Sequence, residues 1–141
     1  RRSVVVSRVE LDSEAFNALS GPRSQRGNEV LRLLTAAQRT GSEVYVPTVV
    51  LAELYRPGRT AKVDSVLSRR DGAPTCRDTD RELARMVGAV LGAAAAVSEH
   101  IVDAHVVATA AESGRAVIAT GDPDYLERLA APYPLVTVVA L

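Results

Sequence analysis

"IVDAHVVATAAESGRAVIATGDPDYLERLA", residues 101–130, changes its hydrophobic pattern twice. "IVDAHVVATAAESG" reads as a helix that stops at Ser113-Gly114. "RAVIATGD" contains a short, continuous apolar run, the pattern of a strand covered on both faces. "PDYLERLA" then starts with Asp-Pro in the positions favoured at a helix N-terminus. A buried strand flanked by two helices implies a parallel sheet with helical layers on both sides.

The rest of the chain repeats this alternation. "VSRVELDSEAF" predicts a strand ending near Asp12, and "SEAFNALSG" a helix stopping at Gly21-Pro22. "GPRSQRGN" reads as a polar, flexible loop before the helix "EVLRLLTAAQRTG". "SEVYVP" predicts a short strand, with Thr48 placed to cap "VVLAELYR". "TAKVDSVLSRR" is an amphipathic helix closed by Asp71-Gly72. "TDRE" has capping-box spacing with Thr79 at the N-cap and Glu82 three residues on. In the helix that follows, Gly88 and Gly92 are four apart, which predicts close contact with another helix. Ser98 is placed to cap the quoted helix, and "LVTVVAL" is a last strand. The total is four strands separated by helices, with no internal repeat or second domain.

Composition excludes several classes of protein. The 141 residues suit one domain with a single core, built from Val, Leu and Ala because Trp is absent and aromatics make up 4%. The single cysteine, Cys76, rules out an internal disulfide and fits a reducing compartment. The longest apolar run, "GAVLGAAAAV" (88–97), is half the roughly 20 residues a membrane helix needs. "RRSVVVSRVE" is too weakly apolar for a signal peptide. Net charge is zero, yet residues 1–70 hold 12 Lys+Arg against 7 Asp+Glu, and residues 71–141 hold 5 against 10. A basic half beside an acidic half could hold phosphates next to a cation; two solvated surfaces would give the same count.

Four acids stand out by position. Ligands of open parallel sheets bind outside the carboxyl ends of the strands. Asp12 and Asp122 each fall at such an end, while Glu53 and Asp103 are lone charges in "VVLAELY" and "IVDAHVVATAA". Each has an ordinary alternative. Asp12 and Asp122 can cap the helices that follow them. Glu53 can pair with Arg56 or Arg59. For Asp103 the helix dipole contributes only about 0.3–1 kcal/mol, too little to offset burial of a carboxylate. Four acids meeting at one point would need positive charge between them. Hard cations such as Mg²⁺ or Mn²⁺ supply it and can activate water beside a phosphodiester.

"VELDSEAFNAL", "VPTVVLAELYR", "IVDAHVVATAAESG" and "AVIATGDPDYLERL" resemble, in order, the four motif blocks of the PIN-domain ribonucleases, and most closely the VapC-type toxins of bacterial toxin–antitoxin modules. The resemblance spans nearly the whole chain, and its specificity lies in the combination. It implies a single PIN domain over residues 1–141, with residues 1–7 an extension or tag remnant. The implied fold is a three-layer α/β/α arrangement around a mainly parallel sheet of about four to five strands. It implies a cytoplasmic endoribonuclease toxin, with water activated at a carboxylate-bound Mg²⁺ or Mn²⁺ centre. The four acids map onto Asp12, Glu53, Asp103 and Asp122 as metal ligands and catalytic residues. Thr120 matches the small hydroxyl residue two before the last acid. Asp124 and Glu14 lie close enough in sequence to be auxiliary acids, although surface charge explains either. The implied partners are RNA, a VapB-type antitoxin and a second copy of the chain. One departure is plain: Arg8 and Glu10 interrupt a first strand that is normally apolar up to its acid.

Other residues carry less. His100 and His105 are five apart and miss the zinc-binding helix spacing, so His105 reads as a packed or surface histidine. Cys76 has no neighbour in motif spacing, and Arg23 and Arg26 read as loop charges able to meet phosphate. A non-catalytic PIN-like module that binds RNA or docks an antitoxin is the alternative, and an unbroken acid quartet argues against it. A receiver-like phosphoacceptor domain would want a lysine near its end, and the sole lysine is Lys62.

Overall fold

The computed structural model describes residues 8–141; the expectation for residues 1–7 lies outside them. The order of elements is β1 (Arg8–Leu11), α1 (Ser13–Ser20), α2 (Gln25–Thr40), β2 (Glu43–Pro47), α3 (Thr48–Leu54), α4 (Thr60–Leu67), β3 (Thr75–Arg77), α5 (Arg81–Ala93), α6 (Ile101–Glu112), β4 (Ala116–Thr120), α7 (Pro123–Ala130) and β5 (Val136–Ala140). The strands form one five-stranded sheet in the order β3-β2-β1-β4-β5, with every pairing parallel. The chain winds outward from β1 to β3, then crosses over to build β4 and β5 on the other side. The switch point lies between β1 and β4, where such folds place their ligands.

Two helical layers cover the sheet. In one, α1 packs on α2 and α4; in the other, α6 packs on α5 and α7. The short α3 touches both α1 and α6, so it sits between the layers at the carboxyl ends of the strands. In α6 every residue from Ala104 to Ala110 is buried, which explains its lack of amphipathic pattern. Among the described residues no helix is long and apolar enough to cross a membrane.

Several local expectations are corrected. α2 starts at Gln25 within the expected loop, because the Ser24 hydroxyl accepts from Gly27 N at 2.9 Å and caps it. A Cβ at Gly27 would lie 2.8 Å from Ala18 O, so glycine there lets α2 approach α1. Thr48 is the first residue of α3 rather than its cap, and its hydroxyl bonds the Asp78 carboxylate. Asp80, not Thr79, caps α5 by accepting from Leu83 N at 2.8 Å; Thr79 instead bonds His105 Nε2 at 2.9 Å. Ser98 begins a single 3₁₀ turn, Ser98–His100, rather than capping α6. Among the described residues nothing lies within 4 Å of a Cβ at Gly88 or Gly92, so no helix packs there. β3 has no clear apolar pattern and is an added edge strand. His105 is buried, with its Nδ1 also bonded to Ile101 O at 2.7 Å, so it is a packed histidine.

The polar interruptions of β1 join a network that runs from the fully buried Glu10 to the exposed Glu112. Arg8 Nη1 donates to Glu112 at 2.7 Å and to Thr109 O at 3.1 Å, and its guanidinium lies 3.8 Å from the Tyr45 ring centre. Arg77 grips the same Glu112 with Nε at 2.8 Å and Nη2 at 3.0 Å. Glu10 is 0% exposed, and neither of its carboxylate oxygens has a hydrogen-bond partner among the described residues. Burial pushes its pKa well above the ordinary 4.5, against the pull of Arg8.

Glu10→Leu is therefore expected to stabilise the chain, by roughly 1–3 kcal/mol at pH 8, the cost of an unsatisfied buried group. The sign of the pH dependence follows from the raised pKa. Between the unfolded value and the folded one the unfolded chain holds fewer protons, so wild-type stability falls as pH rises. The gain from the substitution should grow over the same window. Melting curves of both proteins from pH 4 to pH 8 check it; a constant offset, or a less stable variant at pH 8, would refute it.

Candidate metal centre

Asp12 joins β1 to α1. Its extended backbone starts the helix, and Oδ1 accepts from Ala15 N at 2.8 Å, so the capping expectation holds. The residue is 6% exposed. A second hydrogen bond comes from Thr120, which ends the neighbouring strand β4. The Thr120 hydroxyl is fully buried and also accepts from Asp122 N at 2.8 Å. One hydroxyl thus ties the ends of β1 and β4 together across the switch point and fixes the start of the Asp122 turn.

Asp122 precedes α7 but makes no side-chain capping bond, and it is exposed. The capping alternative fails here: no N–H of the first turn of α7 bonds its carboxylate, although Pro123 stands at the first helical position, where proline is favoured. Glu53 is exposed in α3, and among the described residues no ion pair reaches it. Arg56 binds the carbonyls of Ala52 and Tyr55, and Arg59 binds Asn17, so neither is its partner. Asp103 is half-buried in the first turn of α6.

Electrostatics show which acids lie close. Burial raises the pKa of Asp103, the charge of Glu53 raises it further, His100 opposes, and Asp122 adds to the rise. Burial likewise raises Asp12; the Thr120 and Ala15 hydrogen bonds oppose, and the charges of Glu14 and Asp103 reinforce the rise. Asp103 is thus the hub, coupled to acids from three other elements. Among the described residues no ion pair reaches Asp12, Asp103 or Asp122 either. The cluster carries unneutralised negative charge at the carboxyl ends of β1 and β4.

The donor set suits a hard divalent cation: carboxylate oxygens, partly dry, held on different elements and repelling one another. Among the described residues no three His, Cys, Asp or Glu side chains stand close enough to enclose an ion. A hard divalent cation that keeps most of its waters needs only one or two carboxylates from the protein. Asp124 is exposed in the first turn of α7 and takes part in none of these couplings. Glu14 does take part, through Asp12. Gly121 has a role that the sequence pattern gave no reason to assign: a Cβ there would run into the Glu14 carboxylate, 2.6 Å from its Cδ. The only sequence cue is a glycine between a strand-ending Thr and an acid.

Comparison with known proteins agrees with this architecture. Residues 9–132 match the PIN domain family. A search of curated proteins finds no match. Among solved structures, the chain resembles VapBC2 from Rickettsia felis bound to a DNA fragment from its promoter, with a TM-score of 0.64 and 16% identity. That alignment covers 95% of this chain and 98% of the other. At that identity the likeness speaks for the fold, and the family match spans most of the sequence. The chain belongs to the PIN-domain family.

Proposed function

We propose that this chain is a metal-dependent endoribonuclease and the toxin of a VapC-type toxin–antitoxin pair, acting as a single PIN domain. The observation that carries the reading is the coupling of Asp103 to Glu53, Asp122 and Asp12 at the switch point, with no ion pair to any of the four among the described residues. Asp12 and Asp103, the more buried pair, would hold Mg²⁺ or Mn²⁺, and Glu53 and Asp122 would complete the site directly or through water. When bound, the cation would supply Lewis acidity, lowering the pKa of water and neutralising charge on a phosphodiester. Thr120 keeps Asp12 and the Asp122 turn in register, which pre-organises the acids. Arg26 on Glu14 and Arg59 on Asn17 place positive charge along the outer face of α1, where RNA phosphates could approach.

The partner proposal follows from the same charge. The structural neighbour is described as VapBC2 on its promoter DNA, which supports a VapB-type antitoxin for this chain. An antitoxin Arg or Lys reaching the acids would compete with the cation and inhibit without imitating RNA. A homodimer in the cytoplasm completes the proposal.

The test is cleavage of a mixed RNA pool by the purified chain. Cleavage should appear with Mg²⁺ or Mn²⁺, stop with EDTA and return when metal is restored in excess. Cleavage that persists in EDTA would overturn the metal requirement. RNA binding without turnover under all conditions would favour the non-catalytic alternative.

A further inference from the structure

Two rings meet beside the acids and belong to neither the core nor the caps. His100 immediately precedes α6, three residues before Asp103, and Tyr125 lies in the first turn of α7, three residues beyond Asp122. At helix spacing, residues three apart are neighbours on the surface, so each ring stands next to one acid. The ring centres are 4.2 Å apart with the planes tilted by 32°, a near-stack that bridges the starts of the two helices. Arg128 lies 5.8 Å from the Tyr125 ring centre and donates to Ala94 O at 3.3 Å. Among the described residues no ion pair neutralises it. The His100 side chain is 33% exposed. Val97 and Ile101, on either side of His100 in the chain, are two of the four large apolar side chains left exposed among the described residues. Stacked rings open to solvent, bare apolar flanks and an unneutralised cation make a surface on which nucleobases stack.

We propose that His100 and Tyr125 form a stacking ledge for an unpaired nucleobase of the RNA, flanked by Val97 and Ile101, with Arg128 drawing the neighbouring phosphate. This rests on the ribonuclease reading above and deepens it by naming the form of the substrate, single-stranded RNA with a base free to leave its neighbours. A duplex keeps its bases stacked on one another and offers the ledge nothing. Every base has a π-face, so the ledge fixes position rather than sequence. It holds one nucleotide while the adjoining phosphodiester lies over the acids.

The test is cleavage of a single-stranded RNA pool by the purified chain in Mg²⁺, with rates followed against RNA concentration. His100→Ala and Tyr125→Leu should each raise KM about 10-fold, within the range of one lost stacking contact, and leave kcat within about twofold. His100→Tyr keeps a ring without the imidazole and should restore the wild-type KM. A competitor of equal length without bases should inhibit wild type and Tyr125→Leu alike, whereas one with bases should favour wild type about 10-fold. An unchanged KM would overturn the ledge and leave its apolar flanks to a protein partner, with the nuclease reading intact. A fall in kcat and melting temperature at constant KM would also overturn it, because the rings would then only hold α6 to α7. A second readout needs no turnover. The chain has no tryptophan, so Tyr125→Trp supplies a single reporter, which short single-stranded RNA should quench in EDTA and the base-free strand should not. Quenching without cleavage by wild type would keep the ledge and remove the nuclease. Neither quenching nor cleavage would end both.

Discussion

Asp103→Asn is expected to lose metal-dependent RNA cleavage by at least about 100-fold, more than the loss of a ligand's supporting partner usually costs. It should keep its fold. The amide has the size of the carboxylate, so packing around the first turn of α6 is preserved. What disappears is the charge that Glu53 and Asp122 oppose and that burial disfavours. Those forces raise the folded pKa of Asp103, so without metal its ionisation costs stability as pH rises through that value. In EDTA at neutral pH the variant should therefore melt at or above the wild-type temperature, while with saturating Mg²⁺ the order should reverse. Two assays on one protein pair settle it: RNA cleavage across a metal titration, and melting with metal or with EDTA. Near wild-type cleavage at high Mg²⁺ would remove Asp103 from the site. Lower stability in EDTA would mean the carboxylate has a structural partner that the electrostatics do not show.

The periodicity that made the fold legible is strongest where burial is deepest. β4 and α7 follow their sequence pattern because continuous burial on one and Asp-Pro at the start of the other leave few alternatives. β3 has three residues at a sheet edge, with Thr75 and Cys76 exposed, so no hydrophobic pattern marks it. The start of α2 was hidden because Arg23, Gln25 and Arg26 are polar, and a single serine cap decides the boundary. Glu10 was illegible for another reason. An acid in a strand reads as surface, and only the assembled fold shows that Arg8, Arg77 and Glu112 gather beneath it. At the candidate site, lone acids in apolar segments are the sequence signal for Glu53 and Asp103, which the fold brings within electrostatic reach of each other. The packing of Glu14 against Gly121 has no such signal, because the two residues are more than a hundred apart in the chain.

Asp12 and Asp122 looked alike in the sequence, each an acid before a helix, and the structure separates them in a way that mutation can measure. Asp12 caps α1 through a 2.8 Å bond, whereas Asp122 makes no such bond. Asp12→Ala should therefore cost about 0.5–2 kcal/mol of stability for the lost cap, and Asp12→Asn should restore it, since asparagine caps as well. Asp122→Ala should stay within about 0.5 kcal/mol of wild type, as an exposed substitution away from a cap does. Activity should follow a different rule. Asp12→Asn, Asp122→Ala and Asp122→Ser all remove a negative charge from the ring around Asp103, so all should cleave RNA at least about 10-fold more slowly at limiting metal. Asp122 then becomes the position where activity falls with almost no change in stability, which a structural role cannot produce. Chemical denaturation and cleavage rates at low Mg²⁺ supply the two axes. If Asp122→Ser cleaves normally while Asp122→Ala unfolds more easily, the capping role has won at Asp122, and the ring is left with three acids.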